Sequence, residues 1–406
     1  MTHMVIIGGG LAGGTAAEAL RDEGFDGDIT VVAGEGHPPY QRPPLSKGYL
    51  GGTEGLDAVI LHPADWYAAH GIRLVTGVTA TTLDPRAHAV HLEDGERLSY
   101  DAVLLATGAS PRTLPLAGHD LPGVMTLRRL DDSDALAAQL REGGRRLVVI
   151  GAGWIGMEVA ATARGLGNEV AILEQGAVPL AAALGTEMGE VFRRLHLDHG
   201  VDLRTSVGVD RIVGDGRAEG VVVDGETIAA DLVLIGVGAA PNTALAEAAG
   251  LDLQNGVLTD AALRTSAAGV FAAGDVANAF HPVLQRHLRS EHWANALNAG
   301  KVAARSMLGR PASFDDIPYF YTDQYDLGME LSGYAPLMTD AQIIVRGDVE
   351  AREFVAFWTD GGRVVAGLNV NVWDVNDDVQ ALIRSGERID PARLRDPGVP
   401  LAELLS

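Results

Sequence analysis

Residues 4–20, MVIIGGGLAGGTAAEAL, pass from a strand-length apolar run, Met4–Ile7, through three spaced glycines into helix-forming residues. That order leaves few folds open. A chain that reverses from strand to helix within a few residues needs Gly8 for the tight turn. In a dinucleotide-binding βαβ unit the second glycine, Gly10, lets backbone approach a pyrophosphate, and the third, Gly13, packs helix on strand. The helix, expected to begin near Leu11, then presents its free N–H groups to the phosphates. A following strand is predicted over Ile29–Val32.

One such motif is weak evidence, but the device recurs in RRLVVIGAGWIGMEVAATARGLGNEVAILEQ. Gly151, Gly153 and Gly156 separate the apolar run Leu147–Ile150 from a helical stretch, and a strand over Val170–Leu173 ends at Glu174. Two copies in matching context predict an α/β chain with two Rossmann-like domains and two dinucleotide ligands. A carboxylate closing the second strand accepts hydrogen bonds from a ribose 2′-OH and repels a 2′-phosphate, so Glu174 favours NADH over NADPH. The matching acid in the first unit is Glu35, slightly beyond its strand end in AGEGH.

Further apolar strands end in small residues. TSAAGVFAAGDVANAF brings Gly274 for close approach and Asp275 as an acceptor for a polyol hydroxyl. VLLATGASPR (Ala106, Thr107, Gly108, Pro111, Arg112) and LVLIGVGAAPN (Gly236, Gly238, Pro241, Asn242) read as paired crossovers where the chain leaves one nucleotide domain and returns.

A length of 406 residues suggests two or three domains. With 31 basic and 54 acidic residues the formal charge is -23, which argues against nucleic acid or an anionic membrane as the main partner. The chain has no cysteine, so disulfides, thiolate nucleophiles and iron–sulfur ligation are excluded and redox chemistry must come from a bound cofactor. No apolar run approaches the ~20 residues that span a bilayer, and MTHMVIIGGG lacks a leader pattern, so a soluble, cytoplasmic protein is expected. His281, His287 and His292 lack a convincing set of metal partners and read as packing or surface residues. Arg286, Arg289, Lys301, Arg305 and Arg310 form a basic cluster, either a landing site for an acidic protein or a solvated helix face.

Two features concern charge near the expected nucleotide sites. YQRPPLSKGYL, residues 40–50, holds Arg42 and Lys47 around two prolines that remove backbone donors and stiffen the loop. Glu158 is the sole charge in GWIGMEVAATA, and its helical neighbours Trp154, Ile155, Ala161 and Thr162 turn it inward. A buried carboxylate needs a partner.

The order of these segments resembles the pyridine-nucleotide-dependent flavoprotein reductases. RPPLSKGYL, GWIGMEVA, AAGDVA, EHWANAL and PYFYTDQYDLGMELSG are similar to the ferredoxin reductases of bacterial oxygenase systems, of the putidaredoxin reductase type. The resemblance spans essentially the whole chain. It implies a glutathione reductase-like fold: an FAD-binding domain over 1–110 and 241–322, an NAD-binding domain over 111–240, and a C-terminal α+β domain over 323–406. Ala12 and Gly13 would lie along the FAD pyrophosphate, Ala80 by the adenine, Arg128 on the cofactor, Asp275 on the ribitol and Trp293 beside the isoalloxazine. Lys47 would lie near the flavin and pair with Glu158, the two forming the catalytic pair. Arg42, Thr107, Gly108, Gly274, Tyr321, Ile155 and Gly238 complete the implied cofactor-binding set, with Arg42 either facing the cofactor or bracing the loop.

The chain departs from the family pattern at three positions. Gly34 stands where relatives carry the ribose-binding acid, so Glu35 would substitute from one residue later. Tyr321 replaces a common tryptophan and Val178 a common arginine. The implied activity is electron transfer from NADH through FAD to a 2Fe–2S ferredoxin that supplies a monooxygenase or dioxygenase. The alternatives are a rubredoxin or other carrier reductase, or a slow-turnover NADH-binding flavoprotein sensor. Related oxidases, peroxidases and disulfide reductases rely on a cysteine this chain lacks.

Overall fold

The computed structural model describes residues 2–405 and divides into two compact units. The first comprises Met1–Arg42, Leu56–Ser110 and Ala239–Pro318; the second comprises Pro43–Gly55, Pro111–Gly238 and Tyr319–Ser406. The proline-stiffened loop is therefore shared, with Arg42 in the first unit and Lys47 in the second.

In the first unit the predicted strands form as His3–Ile7, one residue longer at its start, and Asp28–Ala33, one residue longer at each end than its apolar run. They lie in a five-stranded parallel sheet, in the spatial order Val270–Ala272, Ala102–Leu105, His3–Ile7, Asp28–Ala33, Ile72–Thr76. Val5, Ile6, Val31, Val103 and Leu104 are fully buried, as expected of a parallel sheet covered on both faces. The helix Leu11–Asp22 crosses the helix Trp293–Met307 closely, because a Cβ at Gly300 would stand 2.6 Å from the carbonyl oxygen of Ala12.

The second unit repeats this arrangement over Arg146–Ile150, the helix Trp154–Gly165 and Glu169–Leu173. Its parallel sheet runs Asp202–Arg204, Glu169–Leu173, Arg146–Ile150, Leu232–Ile235, Val124–Met125. The two copies share hydrogen-bond register. Gly8 N–H donates to Val32 O at 2.8 Å, and Gly151 N–H donates to Leu173 O at 2.8 Å. On the other side, Ala106 N–H donates to Ile7 O and Gly236 N–H to Ile150 O, both at 2.8 Å.

The predicted crossovers are paired. Strands Ala109–Pro111 and Ala239–Pro241 form a two-stranded ribbon at the boundary positions of the units. Asn242 fastens it, accepting at its main-chain O from Thr107 Oγ1 at 2.9 Å and donating from Nδ2 to Thr107 O at 2.8 Å.

The second unit also holds an antiparallel five-stranded sheet, in the order Tyr319–Gln324, Leu327–Gly333, Arg363–Val370, Glu353–Asp360, Gln342–Asp348. Helix Asn376–Ser385 covers it, with Val379 so close to Gly367 that a Cβ there would lie 2.5 Å from Val379 Cγ1. No helix among the described residues is long and apolar enough to cross a membrane.

Candidate functional site

The first glycine turn shows how its residue types divide the work. Gly13 cannot carry a side chain, because a Cβ would lie 2.0 Å from Gly8 O, so this glycine is set by helix-on-strand packing. Gly10 is different: nothing lies within 4 Å of its would-be Cβ. It is also the N-cap of Leu11–Asp22, with no side-chain cap and no acid in the first turn. Open space over backbone amides that no side chain has taken suits an anionic phosphate, and the donor set here fits the pyrophosphate of a dinucleotide. Ala12 is buried on the same turn, and Gly274, at φ +75, brings the turn Gly274–Val276 against it, 3.0 Å from Ala12 Cβ to a would-be Cβ.

The second turn repeats the pattern. Gly156 is blocked by Gly151 O at 2.3 Å from a would-be Cβ, while Gly153 has only Gly236 O, at 3.8 Å. Helix Trp154–Gly165 likewise begins without a side-chain cap or an acid in its first turn. Ile155 on that turn is 43% exposed, so its side chain is accessible to a ligand. Gly238, at φ +95, accepts at its carbonyl from Arg112 N–H at 2.9 Å.

The two acids after these motifs are held in different ways. Glu174 accepts from Ala152 N–H at 2.7 Å through Oε2 and from Gly176 N–H at 2.6 Å through Oε1, so it is aimed across the glycine turn itself. Glu35 accepts from Tyr40 O–H at 2.5 Å and pairs with Arg42 at 3.1 Å. Arg42 also lies over the Tyr40 ring, 5.1 Å from its centroid. These contacts tie the Arg42 side chain to Glu35 and Tyr40 of the first unit. Gly34 has room, its would-be Cβ meeting only Thr79 Oγ1 at 3.4 Å, so no steric demand explains the glycine there.

Four more of the expected residues lie within the first unit. Trp293 opens its helix and donates from Nε1 to Gln41 Oε1 at 3.0 Å. Asp275 accepts at its carbonyl from Arg289 at 3.2 Å. Ala80 begins a strand and packs against the core cluster around Val5 and Val32, and Gly108 accepts at its carbonyl from Asn242 N–H at 2.9 Å. In the second unit Arg128 precedes the helix Leu130–Leu140, where the backbone N–H groups of Arg128 and Arg129 donate to Asp132 at 2.9 and 2.8 Å.

The expected pair of Lys47 and Glu158 forms. Lys47 Nζ lies 3.0 Å from Glu158 Oε1, and Glu158 is only 4% exposed. The prolines set this up: Pro43–Ser46 is a 3₁₀ turn, Gly48–Gly51 a single helical turn, and Lys47 stands between them. Two hydroxyls join the carboxylate. Ser46 Oγ donates to Oε2 at 2.5 Å and Thr322 Oγ1 to Oε1 at 2.6 Å. Lys47 also stacks over Tyr321, 4.8 Å from the ring centroid, so the tyrosine keeps the aromatic face expected of tryptophan. Burial pushes the Tyr321 phenol up, with Asp323 and Glu158 adding to the effect.

Ser46 and Thr322 were not among the residues expected at the site. Ser46 had a signal, being adjacent to Lys47, but Thr322 is 164 residues from Glu158 and nothing local marks it. Within the basic cluster, Arg305 and Arg310 both pair with Glu23, and Arg289 pairs with Glu291. His281 is buried and hydrogen-bonded to Asp316 O at 3.0 Å, and the described residues contain no metal-binding cluster.

Comparison with known proteins gives concordant matches. The pyridine nucleotide-disulphide oxidoreductase family model matches residues 2–300, and the reductase C-terminal model matches residues 319–405. A probable ferredoxin reductase, CtmF, of Castellaniella defragrans is 40% identical over 369 residues, 90% of this chain and 89% of its own. The ferredoxin–NAD(+) reductase component of the anthranilate 1,2-dioxygenase system of Burkholderia cepacia is 37% identical, covering 99% of this chain and 98% of its own. The putidaredoxin reductase in a covalent complex with putidaredoxin superposes with a TM-score of 0.95 at 34% identity, over 100% of this chain and 98% of that one.

Proposed function

The chain belongs to the pyridine nucleotide-disulphide oxidoreductase family, with a reductase C-terminal domain, and from that membership we propose that it is an FAD-dependent NADH:ferredoxin reductase serving an oxygenase. A bound FAD supplies the redox chemistry, taking two electrons from NADH and releasing them one at a time. The chain's own work is to bind, orient and balance charge. In this reading residues 1–110 and 241–322 bind FAD, residues 111–240 bind NADH, and 323–406 form the C-terminal domain. Gly10, Ala12, Asp275 and Trp293 serve FAD; Gly153, Ile155 and Glu174 serve NADH.

The observation that carries the reading is the buried Lys47–Glu158 pair in a chain with two uncapped glycine turns. A lysine ammonium held at a buried carboxylate is a fixed cation that can answer the negative charge of a reduced flavin. The absence of cysteine leaves the same fold without a thiol relay, which favours release of electrons to a separate carrier. The reductase joined to putidaredoxin in its solved structure, and the relative from a dioxygenase system, support a 2Fe–2S ferredoxin as that carrier. A cytoplasmic location follows from the NADH requirement.

The test is stopped-flow spectroscopy on the purified protein. It should carry bound FAD, be bleached by NADH within milliseconds to seconds, and be reoxidised rapidly by an oxygenase-type 2Fe–2S ferredoxin. Rapid bleaching with no acceleration by any such ferredoxin would move the assignment to another carrier. Bleaching slower than catalytic turnover would favour a sensor.

A further inference from the structure

Behind Glu158 the structure holds a line of buried polar groups that neither ligand reading uses. Thr322 and Gln324 lie two apart on the strand Tyr319–Gln324 and so point to the same face. Gln324 Nε2 donates to Thr322 Oγ1 at 3.3 Å. Gln324 Oε1 is 2.8 Å from His196 Nε2, on the helix Ala181–Asp198. Thr322, Gln324 and His196 are all fully buried.

The polarity of this line is fixed from one end. The carboxylate of Glu158, paired with Lys47, can only accept, so the Thr322 hydroxyl must donate to it. Thr322 Oγ1 then accepts from the amide of Gln324, whose carbonyl is left facing His196. His196 must therefore carry its proton on Nε2, which leaves Nδ1 bare. Among the described residues that buried Nδ1 has no hydrogen-bond partner. A leucine would fill the same space without an unsatisfied nitrogen, so packing does not account for a histidine whose ring is satisfied only toward Gln324. Its other neighbours are aromatic: Tyr325 meets it edge to face at 5.2 Å and stacks on His199 at 3.7 Å.

We propose that His196 is a positioning residue for the Lys47–Glu158 pair, acting through Gln324 and Thr322 to hold Oε1 of Glu158 where it meets Lys47. The proposal rests on the reading of that pair as the charge-balancing group of a flavin reductase. Thr322 and Lys47 share Oε1, so a Thr322 free to rotate would compete for the carboxylate's orientation; Gln324 and His196 remove that freedom. No proton passes along the line, because the Gln324 amide is not a proton carrier.

The experiment has a structural and a kinetic arm on the FAD-loaded protein. ¹⁵N NMR of the histidine ring should find His196 as the Nε2–H tautomer with a bare Nδ1; an Nδ1–H ring would overturn the proposal. In stopped flow, His196→Leu should slow flavin reduction about tenfold with the NADH KM unchanged, and His196→Gln, which keeps a donor near the Nε2 position, should restore it to within about threefold. In a Glu158→Gln background His196→Leu should add nothing. An undiminished effect there, or no rescue by glutamine, would make the histidine merely structural. If Glu158→Gln itself leaves reduction unchanged, it is the reading of the pair that fails.

Discussion

Lys47 and Glu158 meet at 3.0 Å although one sits in a 3₁₀ and one-turn-helix loop and the other inside the helix that follows the second glycine turn. Ser46 and Thr322 each donate to the carboxylate as well, so both of its oxygens are hydrogen-bonded in the buried pair. Breaking a pair of this kind by removing one partner leaves an uncompensated charge, which costs about 3–5 kcal/mol. Lys47→Met should therefore destabilise the protein by roughly that amount, and adding Glu158→Gln should recover a large part of it. Urea unfolding of the two single variants and the double variant checks this; a double variant no more stable than Lys47→Met would contradict it.

The glycine turns give a sharper contrast between fold and ligand. Gly13→Ala forces a Cβ to within 2.0 Å of Gly8 O, a backbone atom that cannot yield without moving the strand. It should lower stability by about 1–3 kcal/mol or more and weaken FAD retention with it. Gly10→Ala meets nothing within 4 Å and has a φ of -85°, so the apoprotein should lose no more than about 1 kcal/mol, the scale of an N-cap change. Its FAD content should nevertheless fall sharply, because the methyl occupies the phosphate approach. Thermal unfolding of the apoprotein beside the ratio of flavin to protein absorbance separates the two effects.

Much of this was legible because it is local. Each strand–glycine–helix–strand unit is contiguous, so spacing alone located Met4–Ile7 and Leu147–Ile150 to within a residue and identified Gly13 and Gly156 as packing glycines. The inward face of Glu158 followed from its helical neighbours in the same way. Its lysine partner came only through family resemblance, since no periodicity links residues 47 and 158. Thr322, Gln324 and His196 were invisible: each reads as an ordinary element residue, and their line exists only after two elements far apart in sequence have packed. The pairing of Arg305 and Arg310 with Glu23 was equally hidden, because that acid lies 282 and 287 residues away in sequence.

Glu174 makes the cofactor preference testable. Its two oxygens hold the N–H groups of Ala152 and Gly176, so the charge is fixed at the end of Glu169–Leu173 where a ribose would meet it. Glu174→Arg removes the repulsion of a 2′-phosphate and frees both amides. The ratio of kcat/KM for NADPH to that for NADH should rise about tenfold or more, equivalent to about 1.4 kcal/mol. Unchanged selectivity would remove Glu174 from the ribose site.

His196 predicts a specific acid sensitivity. Burial pushes its imidazole down from 6.5 to about 4, partly opposed by the hydrogen bond to Gln324, with the nearby His199 lowering it further. Between those values the unfolded chain binds a proton that the folded chain refuses, so stability rises with pH across the window. The contribution is complete above pH 6.5 and is lost as pH falls toward 4, amounting to about 2 kcal/mol at pH 5 and about 3 kcal/mol at the lower end. His196→Gln retains a donor toward Gln324 but does not titrate. Its unfolding free energy should therefore fall about 2 kcal/mol less than that of the native chain between pH 7.5 and 5, measured by urea denaturation in buffers of equal ionic strength. Parallel losses in the two proteins would mean that His196 is protonated in the fold, and the bare Nδ1 would then have to have found an acceptor.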